Sequence, residues 1–172
     1  MAESMIRFDL REASKAVEGW RAAGGKVVLT NGVFDVLHVG HLAVLQAAAQ
    51  EGDRLVVAVN TDASVRRLNK GEDRPIHPQW ERASMLAALR CVDAVVLFDE
   101  DTPIEIVRAL RPDVLVKGGD YNPDERNPQD PTYMVGSGEV KSWGGRAVSV
   151  PLLPGHSTTQ ILNKIRGSQP RN

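Results

Sequence analysis

The rhythm of short apolar runs constrains this chain more than any other feature. Five runs rich in β-branched residues, at 26–30 (KVVLT), 54–59 (RLVVAV), 94–98 (AVVLF), 114–116 (VLV) and 147–150 (AVSV), are separated by longer segments rich in helix formers. Near-continuous apolar strands are buried on both faces, as in parallel sheets, and parallel neighbours need crossover connections long enough to hold a helix. The separating segments carry matching punctuation. Asp9 followed by Glu12 is a capping-box-like start, and Gly24 with Gly25 stops the helix it opens. GHLAVLQAAAQ runs on from Gly40, Thr61 caps a helix over 62–68, Pro78 opens one over 79–90, and Thr102-Pro103 opens another that ends before Pro112. A last helix is predicted over 158–165. The chain is therefore predicted to be α/β, a doubly wound parallel five-stranded sheet with helices on both faces. Residues 122–139 break the rhythm, with Pro123, Pro128 and Pro131 among Asp, Asn, Gly and Ser, and read as a long turn-rich loop.

In such a sheet, ligands bind beyond the carboxyl ends of the strands, where a strand hands over to its helix. Thr30-Asn31-Gly32-Val33-Phe34-Asp35-Val36-Leu37-His38-Val39-Gly40-His41 occupies the first such crossover. A helix N-terminus offers unpaired N–H groups and partial positive charge, and Gly32 and Gly40 let phosphate oxygens approach the backbone. His38 and His41, three apart, share one face of that first turn, so both imidazoles reach one phosphate chain. Capping or surface roles for single histidines, and metal ligation by Asp35, His38 and His41, are the competing readings; a remote fourth ligand has no obvious pattern. Neither GxxxxGK[ST] nor GxGxxG occurs, so P-loop and dinucleotide sites are excluded.

An anionic ligand must be held locally. Lys plus Arg number 21 against 22 for Asp plus Glu, a net charge of −1 that gives no broad basic surface for nucleic acid or an anionic membrane. The N-terminal residues carry Glu3, Arg7 and Asp9 instead of the apolar core of a signal peptide, and no apolar run has transmembrane length. The single cysteine, Cys91, cannot form an intramolecular disulfide, which is consistent with a reducing, cytoplasmic setting.

TNGVFDVLHVGH resembles the signature of the HxGH nucleotidyltransferase superfamily, which includes cytidylyltransferases and adenylyltransferases of Rossmann-like fold. Ser157-Thr158-Thr159-Gln160-Ile161, opening the last helix, is similar to that superfamily's second signature. Most of the chain further resembles the adenylyltransferase domain of bacterial ADP-heptose synthesis, through VVAVNTDASVRRL, RPIHPQWERASMLAALRCVDAVVLFDEDTP, RPDVLVKGGDY and SWGGRAVSVPLLPGHSTT. The resemblance implies one nucleotidyltransferase domain over 1–172, with a core of about 26–166, the loop 122–139 and a tail 167–172. It implies transfer of AMP from ATP, with Mg²⁺, to D-glycero-β-D-manno-heptose 1-phosphate, a separate upstream sugar kinase, and a homodimer. The loop 122–139 is several residues longer than that family's pattern.

On that resemblance His38, His41 and Lys70 are expected at the reacting phosphates, and Ser157, Thr158 and Thr159 at the β/γ end. Thr30, Asn31, Gly32, Phe34 and Gly40 are expected around the nucleotide. Asp35, Asp62, Arg74, Arg82 and 117–120 (Lys117, Gly118, Gly119, Asp120) are expected toward the acceptor, the nucleotide or a magnesium ion. Arg82 has a second reading as a partner of Glu81 or Asp93, and Lys70 as a solvated surface cation. No residue is assigned as a metal ligand, and His156 is a neighbour of the phosphates at most. Two other functions remain open: a cytidylyltransferase for glycerol 3-phosphate or another small phosphate, and a nucleotide-binding regulatory protein without catalysis.

Overall fold

The apolar runs become strands and the segments between them become helices in the order that the rhythm predicts. The computed structural model describes residues 5–6, 9–68, 71 and 73–167. Its elements are β1 (Met5–Ile6), α1 (Leu10–Ala22), β2 (Val27–Gly32), α2 (Val39–Ala49), β3 (Arg54–Asn60), α3 (Asp62–Arg67), α4 (Gln79–Ala87), β4 (Ala94–Phe98), α5 (Ile104–Leu110), β5 (Val114–Gly118), α6 (Ser137–Ser142), β6 (Arg146–Val150) and α7 (Thr158–Gly167). The strands lie in the order β1-β4-β3-β2-β5-β6, every neighbouring pair parallel. The five expected strands are present, and β1 adds a sixth at the edge, pairing Met5 with Ala94 and Ile6 with Val95. Two residues beside charged neighbours carry no periodicity, so this strand has no sequence signature.

Register sorts the core into two layers. Val27, Leu29, Val56, Ala58, Val96 and Leu115 pack with Val17 of α1, Val107 of α5 and Val140 of α6. Val28, Val57, Val59, Val95 and Val116 point the other way, onto Leu45 of α2 and Leu86 of α4. Alternate residues of one strand thus reach opposite layers, and β2 through β5 are buried on both sides. Local signals act as expected at two helix starts: Asp9 accepts from the Arg11 amide, and Thr61 Oγ1 accepts from the Ser64 amide. The helix predicted over 79–90 ends at Ala87.

The turn-rich segment 122–139 is tied down at several points. Asn122, Asn127 and Asp130 each accept the amide two residues on, and Met134 is fully buried in the α1/α5 layer. Its last three residues already belong to α6, whose N-cap is Gly136 at φ 92°. Small and polar residues mask a helix whose stability comes from the buried Val140, not from propensity. Among the described residues no helix is long and apolar enough to cross a membrane.

Strands β3 and β4 lie on one side of β2, and β5 and β6 on the other, so the chain reverses direction across the sheet between β2 and β5. The carboxyl end of β2 is therefore the switch point, where a doubly wound sheet opens a crevice.

Candidate active site

A cavity of about 650 Å³ opens at that switch point, within the range of ordinary small-molecule sites. It brings together Thr30, Asn31, Gly32, Phe34, Asp35, His38, Gly40 and His41 from the first crossover and Ser157, Thr158 and Thr159 from α7. Arg74, Lys117 and Gly118 also line it. Segments at opposite ends of the chain thus present two helix N-termini to one space, which suits a chain of phosphates.

The imidazoles at α2 are set by local geometry. His38 is the N-cap, and its Nδ1 accepts the Gly40 amide at 3.1 Å. An accepting Nδ1 is unprotonated, so the neutral ring carries its proton on Nε2, where it is a donor. Burial pushes the His38 pKa below its ordinary value, and the charge of His156 adds to the shift. His41 stacks on His38 with ring centroids 3.8 Å apart, and Phe34 lies 5.4 Å from His41. Gly40 is required by closeness: a Cβ there would lie 2.9 Å from the His38 ring and 3.0 Å from the His156 carbonyl. Replacing His156 with alanine is expected to move the His38 titration midpoint upward toward 6.5, as read by NMR. An unmoved or lowered midpoint would mean that His156 does not act on His38.

The loop between β2 and α2 is strained and held from three sides. Phe34 and Val36 adopt φ 51° and 50°, a region that branched and bulky residues avoid. The Asp35 carboxylate accepts from Arg74 Nε at 2.6 Å, the Ile76 amide at 2.8 Å and the His77 amide at 2.9 Å. Burial alone would raise this carboxyl, but the two amides and the guanidinium outweigh it and hold the pKa below the ordinary value. Thr158 Oγ1 donates to the Asp35 carbonyl at 2.7 Å, docking α7 on the same residue. The Thr158 hydroxyl proton is thereby engaged, leaving its backbone amide and the exposed Thr159 side chain for a ligand.

The third hold is Arg82, and here the structure replaces both sequence readings. Its fully buried guanidinium donates to the carbonyls of Val33 at 2.6 Å, Asn60 at 2.8 Å and His77 at 2.9 Å, and to the Asp62 carboxylate at 2.8 Å. It clamps the loop from beneath, neither lining the cavity nor pairing with Glu81 or Asp93; Asp93 pairs with Arg54 instead. Asp62 is occupied by Arg82 and also lies outside the lining, as do Gly119 and the exposed Asp120. Gly119 is drawn away because its amide donates to the Val150 carbonyl. Lys70, together with residues 168–172 of the expected tail, lies outside the described residues.

Sequence reasoning missed Asn60, Phe98, Asp101, Thr102, Tyr121 and Val135, all of which line the cavity. The first two close β3 and β4, so the rule that ligands sit at carboxyl strand ends would have found them. Val135 had no comparable signal, since it follows the buried Met134 in a turn-rich segment, whereas Tyr121 follows the carboxyl end of β5 within KGGDY and is held there by its amide's bond to Ser149 Oγ.

Comparisons with known proteins agree with this geometry. The cytidylyltransferase-like family model matches residues 29–162. The chain is 52% identical, over 98% of its length, to the bifunctional protein HldE of Gluconobacter oxydans, of which it spans 33%. It is also 52% identical, over 95% of its length, to the D-beta-D-heptose 1-phosphate adenylyltransferase of Bordetella bronchiseptica, covering 98% of that protein. A solved lipopolysaccharide core biosynthesis protein from Thermoplasma volcanium superposes with TM-score 0.57 at 27% identity, over 76% of this chain and 98% of that one. The matched span holds both the carboxyl end of β2 with its histidine-bearing crossover and the start of α7, and the chain belongs to the cytidylyltransferase-like family.

Proposed function

We propose that the protein is an adenylyltransferase that moves AMP from ATP to D-glycero-β-D-manno-heptose 1-phosphate, giving ADP-heptose and pyrophosphate. The observation that carries this reading is the 52% identity to the Bordetella adenylyltransferase across 98% of that protein's length. The two helix N-termini at the switch point agree with it.

A sugar-phosphate oxygen attacks the α-phosphorus, a new P–O bond forms, and the bond to the bridging oxygen breaks as its electron pair leaves with pyrophosphate. A phosphate monoester has its second pKa near 6, so the attacking group is already ionised at neutral pH and no general base is needed. The work is positioning and stabilisation of moving charge. His38 donates through Nε2 and acts with His41 on the α- and β-phosphates, while the amides of Thr158 and Thr159 and the Thr159 hydroxyl hold the β/γ end. Lys70 brings positive charge to the phosphates, and Thr30, Gly32, Phe34 and Gly40, which line the cavity, surround the nucleotide. Mg²⁺ enters with ATP as part of the substrate and keeps most of its waters. Asp35, engaged by Arg74 and by the amides of Ile76 and His77, is not free to replace one of those waters. The catalytic set belongs to one domain, 1–172, and a sugar kinase supplies the 1-phosphate it consumes.

Purified protein, incubated with ATP or CTP and with heptose 1-phosphate, mannose 1-phosphate or glycerol 3-phosphate, tests the reading by pyrophosphate release. Turnover is expected with ATP and heptose 1-phosphate. Turnover with CTP and none with ATP would make it a cytidylyltransferase, and ATP binding without pyrophosphate from any acceptor would leave a regulatory nucleotide binder.

A further inference from the structure

The cavity straddles the edge of the sheet, and its two sides differ in chemistry. Even-numbered residues of β2 face α2 and α4, the side of the histidines, whereas Val27, Leu29 and then Asn31 face the α1/α5/α6 layer. At the carboxyl edge on this second side the same parity sets Asn60 after Ala58, Phe98 after Val96, and Lys117 after Leu115. Thr102 and Tyr121 also line the cavity, with Lys117 Nζ 4.8 Å from the centre of the Tyr121 ring.

One atom in this lobe is unsatisfied. The Oδ1 of Asn31 is buried and has no hydrogen-bond partner, whereas Nδ2 of the neighbouring Asn60 donates to Ser64 Oγ at 2.9 Å. A buried amide carbonyl without a donor is costly, and such exceptions gather where a ligand completes the bond. A carbonyl can only accept, so the missing partner carries an O–H or N–H. Reaction geometry decides which substrate brings it. Attacking and leaving oxygens lie on opposite sides of the reacting phosphorus in an in-line displacement. The leaving pyrophosphate belongs at the α2 and α7 N-termini, so the attacker arrives from the lobe headed by Asn31.

We propose that Asn31 Oδ1 is a specificity-determining contact for the acceptor, accepting a hydrogen bond from a sugar hydroxyl in a lobe formed with Thr102, Lys117 and the Tyr121 ring. The assignment rests on the adenylyl-transfer reading above. It also moves Asn31 from the nucleotide, where the sequence resemblance set it, to the acceptor. Lys117 supplies charge to the sugar phosphate, and Tyr121 offers an apolar face to the sugar ring.

Asn31→Leu removes the acceptor while keeping the branched side-chain shape, and because it also removes a buried orphan at the cavity wall, the free protein is expected to melt no lower than wild type. In steady-state kinetics the KM for heptose 1-phosphate should rise on the order of tenfold to a hundredfold, with the KM for ATP and the affinity for a non-hydrolysable ATP analogue changing less than about twofold. Wild type assayed with heptose 1-phosphates lacking one hydroxyl each provides a measure that needs no variant. One analogue should lose a comparable factor, and that loss should vanish in Asn31→Leu. A rise confined to ATP would assign Asn31 to the nucleotide and overturn the proposal, as would an unmoved acceptor KM or a wild type indifferent to every missing hydroxyl. Absence of wild-type turnover with ATP and heptose 1-phosphate would instead remove the adenylyl-transfer reading itself and this assignment with it.

Discussion

Replacing His41 with alanine is expected to lower kcat by roughly 10²–10³ while the dissociation constant for ATP changes only a few fold. The asymmetry follows from where charge moves. In the proposed mode of binding the ATP phosphates are already met by backbone amides at two helix starts, so one imidazole adds little to ground-state affinity. As the bond to the bridging oxygen breaks, negative charge accumulates on the departing pyrophosphate, and a donor fixed in the cavity is worth more at that moment than before it. His41 is a cleaner probe than His38, because His38 also caps α2 and its loss would cost about 1 kcal/mol of stability on top of any chemical effect. Single-turnover rates and calorimetric titration of a non-hydrolysable ATP analogue separate the two quantities. An unchanged kcat, or a loss appearing entirely in ATP affinity, would remove His41 from the transition state.

What the sequence makes readable here is what local rules control. KVVLT and its fellow runs announce parallel strands because burial on both faces leaves no polar alternation. Asp9 and Thr61 announce helix starts because capping needs only a side chain and an amide two or three residues away. The approach of His38 and His41 to Ser157–Thr159 is nonlocal, and only the paired signatures hinted at it. Arg82 shows the limit most clearly. Its partners are carbonyls of Val33, Asn60 and His77 and the carboxylate of Asp62, four groups from three stretches of chain, and no spacing rule identifies carbonyls as partners. An arginine near a phosphate site reads equally well as a ligand contact, and burial alone decides against that here. The same holds for Thr158, whose hydroxyl anchors α7 to Asp35 as well as standing in a phosphate-binding motif.

Replacing Asp35 with alanine is expected to destabilise the protein by about 3–5 kcal/mol, a fall in Tm on the order of 10 °C. The side chain is fully buried, and its removal strands three donors at once: Arg74, whose side chain is only 11% exposed, and the amides of Ile76 and His77. An uncompensated buried guanidinium accounts for most of the cost. The ion pair of Asp124 with Lys141 is equally short at 2.6 Å, but its carboxylate is 89% exposed, so Asp124→Ala is expected to leave Tm unmoved. The contrast separates burial from distance as the determinant. Asp35 also sets an acid limit. Its folded pKa lies below the ordinary 3.8, so its contribution is complete above that value and is lost as pH falls through the folded pKa. Asp35→Asn, which cannot titrate, should therefore flatten the acid limb of the stability profile while lowering stability at neutral pH. Urea unfolding at neutral pH and across the acid range measures both effects. If Asp35→Ala melts within about 2 °C of wild type, the strained β2–α2 loop is held by Arg82 and the Thr158 contact, and Asp35 is not its anchor.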